Sequence, residues 1–137
     1  MKISQIKITP DTYKPFRLAQ GHRVGDLLFI SGQTAIGEDG QLFGIGDFDK
    51  QAQKAFENLD KVLKAGGSSL KNVVKVTIML RDMSNFEKVV ELRGKYFTEP
   101  YPADTIVEVS SLFSVDALIE IEAIAVADEA AIWVGNN

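Results

Sequence analysis

The sequence predicts an α+β fold, one mixed β-sheet with two helices packed on a single face. Two stretches carry apolar residues at three- and four-residue spacings, the period of a helix seated on a core. The other apolar stretches are short and either alternate with polar residues or are rich in Val and Ile, as strands are. The two kinds interleave in the order strand, strands, helix, strand, helix, strand, strand. The chain has 137 residues and shows no repeat or linker, so residues 1–137 are expected to form one domain.

Each element follows in turn. Residues 2–8, KISQIKI, alternate polar and apolar and read as a half-buried strand. Pro10 and Pro15 bracket an irregular segment. DLLFISG is an apolar strand ending at Gly32. Gly37, Gly40, Gly44 and Gly46 then make a mobile loop or loose hairpin; no GK[ST] follows them, so they are no phosphate loop. From Asp47 to about Ala65, the residues Ala52, Ala55, Phe56, Leu59, Val62 and Leu63 define an amphipathic helix. Asp47 or Asp49 can cap its start, and Gly66-Gly67 suits the turn that ends it.

NVVKVTIML is a β-branched strand, and SNFE at Ser84–Glu87 has capping-box spacing for a second helix. That helix carries Phe86, Val89, Val90, Tyr96 and Phe97 and stops before Pro100. Two strands remain, about 104–111 and 118–127, followed by a tail extension at 128–137 with an Ile-Trp-Val cluster. The tail is expected to pack on a neighbouring subunit or stay disordered.

Composition removes several function classes. With no cysteine there is no disulfide, thiolate nucleophile or zinc–thiolate site, and the chain reads as cytoplasmic. The single histidine, His22, excludes an imidazole-based zinc site and reads as an exposed loop residue. The acids at 38–49 lack calcium-loop spacing, so no metal and no cofactor is expected. A net charge of −4 and a pI near 5 argue against a nucleic-acid partner, and no stretch is apolar enough for a membrane span.

The remaining candidates are acids on strands. Glu120 and Glu122 share one face of their strand, with Ile119, Ile121 and Ala123 on the other. That acidic face is either solvated, covered by another subunit, or a site. Ser31, where a strand runs into a turn, either bonds nearby backbone or sits in a turn that aims N–H groups at a ligand.

Taken together, GDLLFISGQ (25–33), the spacing of Asn58, Val62, Leu63, Ala65 and Gly66, VVKVTIMLRDMSNF (73–86), YF (96–97), PADTIVEV (102–109) and IEIEAIA (119–125) resemble the Rid family. These are the reactive intermediate deaminases, also called YjgF or RidA-like, and the resemblance covers about residues 9–127. It implies a chorismate-mutase-like fold and a homotrimer whose ligand clefts lie between subunits. It also implies hydrolysis of imines and enamines, with release of ammonia.

By that resemblance Glu120 positions the attacking water, and Ser31 and Gly32 line the pocket. The family's carboxylate-binding arginine is replaced by Asp104, its cysteine by Ile106, and the tyrosine expected near Leu18 is missing. Arg17 and Arg93 are the cations that could stand in. The expected activity is therefore hydrolysis of a small C–N compound that is not a typical 2-imino acid. A non-catalytic trimer binding a small metabolite is the alternative, and a ribonuclease or translation inhibitor is disfavoured by the acidic composition.

Overall fold

A computed structural model describes residues 1–135. Six strands, β1 (Ile3–Ile6), β2 (Gly21–Val24), β3 (Leu27–Gln33), β4 (Val73–Leu80), β5 (Ala103–Glu108) and β6 (Ile119–Val126), form one sheet in the order β1-β2-β3-β6-β4-β5. β4 and β5 run parallel and the other pairs antiparallel, so the sheet is mixed as expected. Two helices, α1 (Phe48–Ala65) and α2 (Phe86–Tyr96), complete the fold.

α1 owes its position to its apolar stripe. Ala52, Ala55, Phe56, Leu59, Val62 and Leu63 are all fully buried against the sheet, which removes them from water together. Asp47 caps the helix by accepting from the Lys50 N–H at 3.1 Å. Beyond the helix end Gly67 turns with φ +88°, a conformation that disfavours any residue with a Cβ. The Phe56 ring stacks on Tyr96 at 4.4 Å between centroids and meets Phe97 edge-on at 5.7 Å, which joins α1 to the end of α2. Both helices therefore share one face of the sheet.

Three local expectations are corrected. His22 lies not in a loop but in β2, paired with Gln5 of β1 and Phe29 of β3. The capping box at Ser84 is not used: Asp82 accepts from the Ser84 N–H at 2.9 Å and opens a 3-10 turn, Met83–Asn85, that leads into α2. The tail folds onto its own chain, with the Trp133 indole donating to Asn72 Oδ1 at 2.9 Å and Arg23 pairing with Glu129. Residues 136 and 137 of the tail lie outside the described residues. The 37–46 segment is a loose hairpin closed by a single bridge between Ile36 and Leu42.

Candidate functional site

β6 divides structure from chemistry residue by residue. Ile119, Ile121 and Ala123 point into the helix-covered core, and Glu120 and Glu122 project from the opposite, open face. Beside Glu120, β3 bulges between Ile30 and Gln33. The Glu120 carboxylate lies directly over Gly32, where a Cβ would collide with it, so this approach requires glycine.

The segment before β2 forms the cleft wall and is held by a polar chain. Gln33 Nε2 donates to Gln20 Oε1 at 3.1 Å, Gln20 Nε2 to Asp11 Oδ1 at 3.1 Å, and the Tyr13 N–H to the same carboxylate oxygen at 3.1 Å. Gln20 and Gln33 are buried, so these bonds fix the segment rather than compete with water. Tyr13 is thereby placed with its hydroxyl donating to the Gly32 carbonyl at 2.5 Å. Asn58 of α1 donates to the Thr34 and Ile36 carbonyls, each at 2.8 Å, and fixes the turn after β3.

The result is a cleft of about 360 Å³ lined by Tyr13, Phe16, Leu18, Gly32, Thr34, Phe113 and Glu120, among others. That volume suits a small metabolite. Burial pushes the Glu120 carboxyl above the usual carboxylate range, and the Glu122 charge adds to the shift. Burial also pushes the Tyr13 phenol up to about 12, with Glu120 contributing, so it keeps its proton at neutral pH. Phe113 arrives on the 109–118 loop, which Gln51 of α1 anchors by donating to the Asp116 carbonyl at 2.8 Å and accepting from the Leu118 N–H at 2.9 Å.

Of the residues singled out by sequence, Glu120, Gly32 and Leu18 meet in this cleft. Ser31 adjoins it, but its hydroxyl donates to the Ala19 carbonyl at 2.6 Å. Asp104 and Ile106 are not brought to Glu120 within one chain. They face the helix side of β5, opposite the buried Val76 and Ile78 of β4, whereas Glu120 faces the other side.

Asp104 instead holds Arg93 of α2 in a two-pronged pair, Nε to Oδ2 at 2.8 Å and Nη2 to Oδ1 at 3.0 Å. Arg93 is thus no solvated surface charge. Arg17 is exposed, in left-handed backbone with φ 62°, and does not line the cleft. Among the described residues no acid, histidine or cysteine cluster gathers in a way that could hold a metal.

Sequence reasoning missed Tyr13 and Phe113. Both lie in irregular segments where periodicity carries no signal, although the two prolines around Tyr13 mark a stiff stretch that a buried polar anchor could fix.

The family model described as "Endoribonuclease L-PSP" matches residues 9–127. The chain belongs to that family. A RutC family protein of Pyrococcus horikoshii is 40% identical over 124 residues, 90% of this chain and 98% of the relative. Reactive Intermediate Deaminase A of Arabidopsis thaliana, a chloroplastic protein, is 36% identical over 78% of this chain and 57% of its own length.

Among solved structures, a Rid-family protein of Yersinia pestis superposes with a TM-score of 0.85 at 32% identity, covering 92% of this chain and 100% of that one. RidA of a Psychrobacter species gives 0.74 at 34% identity, over 80% and 88%. This member of the L-PSP/Rid family therefore has the mixed-sheet α+β architecture of the RidA-like structures, as the resemblance implied. No helix among its described residues is long and apolar enough to cross a membrane.

Proposed function

We propose that this L-PSP/Rid-family protein hydrolyses a small imine, enamine or related C–N compound in the cleft over Gly32. The observation that carries the reading is Glu120: a carboxylate half-buried among Tyr13, Phe16, Leu18 and Phe113, with its proton affinity raised. A carboxyl tuned towards neutrality can remove a proton from water as it adds to the C=N carbon and deliver it to nitrogen. The carbinolamine then loses ammonia or an amine as the C–N bond breaks and the carbonyl forms. Hydrolysis needs water alone as co-reactant, so no cofactor is required.

Typical 2-imino acids fit this protein poorly. The position after Pro102-Ala103 is an aspartate, and the cation nearest to it, Arg93, is already engaged by both of its oxygens. The cleft lining contains Glu120 as its only charged side chain among the described residues. The active form is a homotrimer, a reading supported by Leu27, Phe29 and Val107, apolar residues exposed on the sheet face that the helices do not cover.

The test is turnover. An amine oxidase generates a carboxylate-free imine and an amino-acid oxidase generates 2-iminopropionate, and semicarbazide trapping follows the disappearance of each. The carboxylate-free imine should be consumed at a rate that falls about 10²- to 10⁴-fold in Glu120→Gln, the usual loss for a proton-transfer group. The 2-iminopropionate should be slower by about two decades or more. Consumption of 2-iminopropionate at the oxidase-limited rate by wild type would overturn the assignment of Asp104. Asp104→Arg should raise activity on 2-iminopropionate if the homotrimer brings a neighbouring subunit's position 104 to the cleft, because within one chain it faces the helix side.

Loss of the family arginine also favours a second reading, a non-catalytic metabolite-binding trimer. It predicts ligand-dependent thermal stabilisation with no product in wild type or Glu120→Gln.

A further inference from the structure

The cleft is asymmetric, and the asymmetry specifies more of the ligand than its C–N bond. Its floor is polar. The Glu120 carboxylate is an acceptor, and the Tyr13 hydroxyl commits its proton to the Gly32 carbonyl while its oxygen is engaged by Thr34, so Tyr13 offers a ligand no donor. Its outer wall is apolar and built from separate parts of the chain, Phe16 and Leu18 from the segment before β2 and Phe113 from the loop after β5.

These three side chains are exposed, by 72%, 44% and 59%, and converge around one opening. Their carriers are anchored on both sides. The Asp11–Gln20–Gln33 chain fixes the first segment, and Gln51 and Arg81 hold the loop, Arg81 donating to the Val115 carbonyl at 3.1 Å. Three apolar groups held at the mouth of one cleft form a preorganised surface, which lowers the cost of binding.

We infer that Phe16, Leu18 and Phe113 form an apolar subsite that selects substrates carrying a branched-alkyl or aryl substituent on a cationic nitrogen-bearing head group. The inference rests on the C–N reading above and deepens it. The head group is identified by charge complementarity. The floor offers the Glu120 anion and no donor from Tyr13, which suits the N–H groups of an iminium or ammonium ion and repels a carboxylate. The substituent is identified by the wall, since apolar surface gains by removing apolar surface from water. A cleft of about 360 Å³ has room for a phenyl or isobutyl group together with its head group. Phe16, Leu18 and Phe113 are specificity-determining residues on this reading, and none of them exchanges a proton.

Titration calorimetry with stable amines tests this apart from turnover, because ammonium ions present the iminium charge without reacting. Methylamine, isobutylamine and benzylamine are titrated into the full-length protein, into Leu18→Ser, Phe113→Ser and their combination, and into Glu120→Gln. Benzylamine and isobutylamine should bind wild type at least about tenfold more tightly than methylamine. The preference should fall to less than about threefold in the double variant, and Glu120→Gln should weaken all three amines together.

The Leu18 and Phe113 side chains are solvent-exposed, so their serine variants keep the fold, and melting temperatures unchanged from wild type verify it. Equal affinity for the three amines, or a benzylamine preference that survives the double variant, would overturn the subsite. Detectable turnover of a carboxylate-free imine in that same outcome would leave the C–N reading standing. If wild type and Glu120→Gln bind every amine equally, the cationic head group is wrong as well.

Discussion

The two faces of this sheet are made from the same strands and do opposite work. On β6 the odd positions from Ile119 to Ala125 are buried beneath the helices, and the even positions Glu120 and Glu122 carry charge on the open face. The covered face is redundant: Phe56, Leu59, Leu63, Ile78 and Ile121 are all fully buried and share one core. The open face depends on single contacts, among them one glycine under Glu120 and one phenol bond to a carbonyl. Stability is therefore spread over many residues on one side, and the candidate site rests on few on the other.

That contrast can be broken from the covered side first. Phe56→Ala removes a fully buried ring and its stacking on Tyr96, and should lower unfolding free energy by about 3–5 kcal/mol. Chemical denaturation reads the loss, and amine affinity of the remaining folded protein should be unchanged, because neither Phe56 nor its ring partners Tyr96 and Phe97 line the cleft. A parallel fall in affinity would mean the two faces are coupled.

The Arg93–Asp104 pair lies on the covered side at the sheet's edge and is only partly shielded, with 25% and 17% of the two side chains exposed. A double-mutant cycle with Arg93→Ala and Asp104→Ala should give a coupling of about 1–2 kcal/mol, larger than an open surface pair because it is two-pronged. A coupling near zero would make the pair a surface contact with no hold on the edge.

Gly32→Ala sharpens the contrast from the open side. Its Cβ meets the free end of the Glu120 side chain, so the carboxylate is displaced while the fold yields cheaply. Turnover or amine affinity should fall more than about tenfold, equivalent to about 1.4 kcal/mol, with a smaller change in denaturant midpoint.

The smallest effect is a pH-dependent one. Folding raises the Glu120 proton affinity, so its contribution to stability is complete below the ordinary carboxylate range and is lost as pH rises through the raised folded value. Glutamine does not ionise. Glu120→Gln should therefore melt above wild type at neutral pH, with the difference closing as pH falls towards about 4. The gap should stay below about 1 kcal/mol, since water screens a half-exposed group. A wild type more stable than the variant at pH 7 would mean that a cation faces Glu120 in solution.

The elements with strong periodicity were legible from sequence. α1 follows from six apolar residues at helical spacing, and β6 from strict alternation, because each pattern states which face is buried. Glu120, Gly32 and Leu18 were legible only through resemblance to the family, since composition left the acidic face open to several readings. β2 escaped because Gly21-His22-Arg23-Val24 has no apolar alternation, and it becomes a strand through its pairing with β1 and β3 on either side. The second helix start was assigned to Ser84, yet Asp82 reaches the same amide first, one turn earlier.

Sequence by itself determined which residues leave water and in which period, because burial of apolar surface is additive along a chain and needs no partner to be read. It could not determine which polar groups meet. Tyr13 and Gly32 are 19 residues apart, Gln51 and Asp116 are 65 apart, and Arg93 finds Asp104 across the edge of a sheet. Directional bonds between distant groups exist only once the core has fixed the backbone to within about an ångström. The cleft, its tuned carboxyl and its apolar wall are decided there.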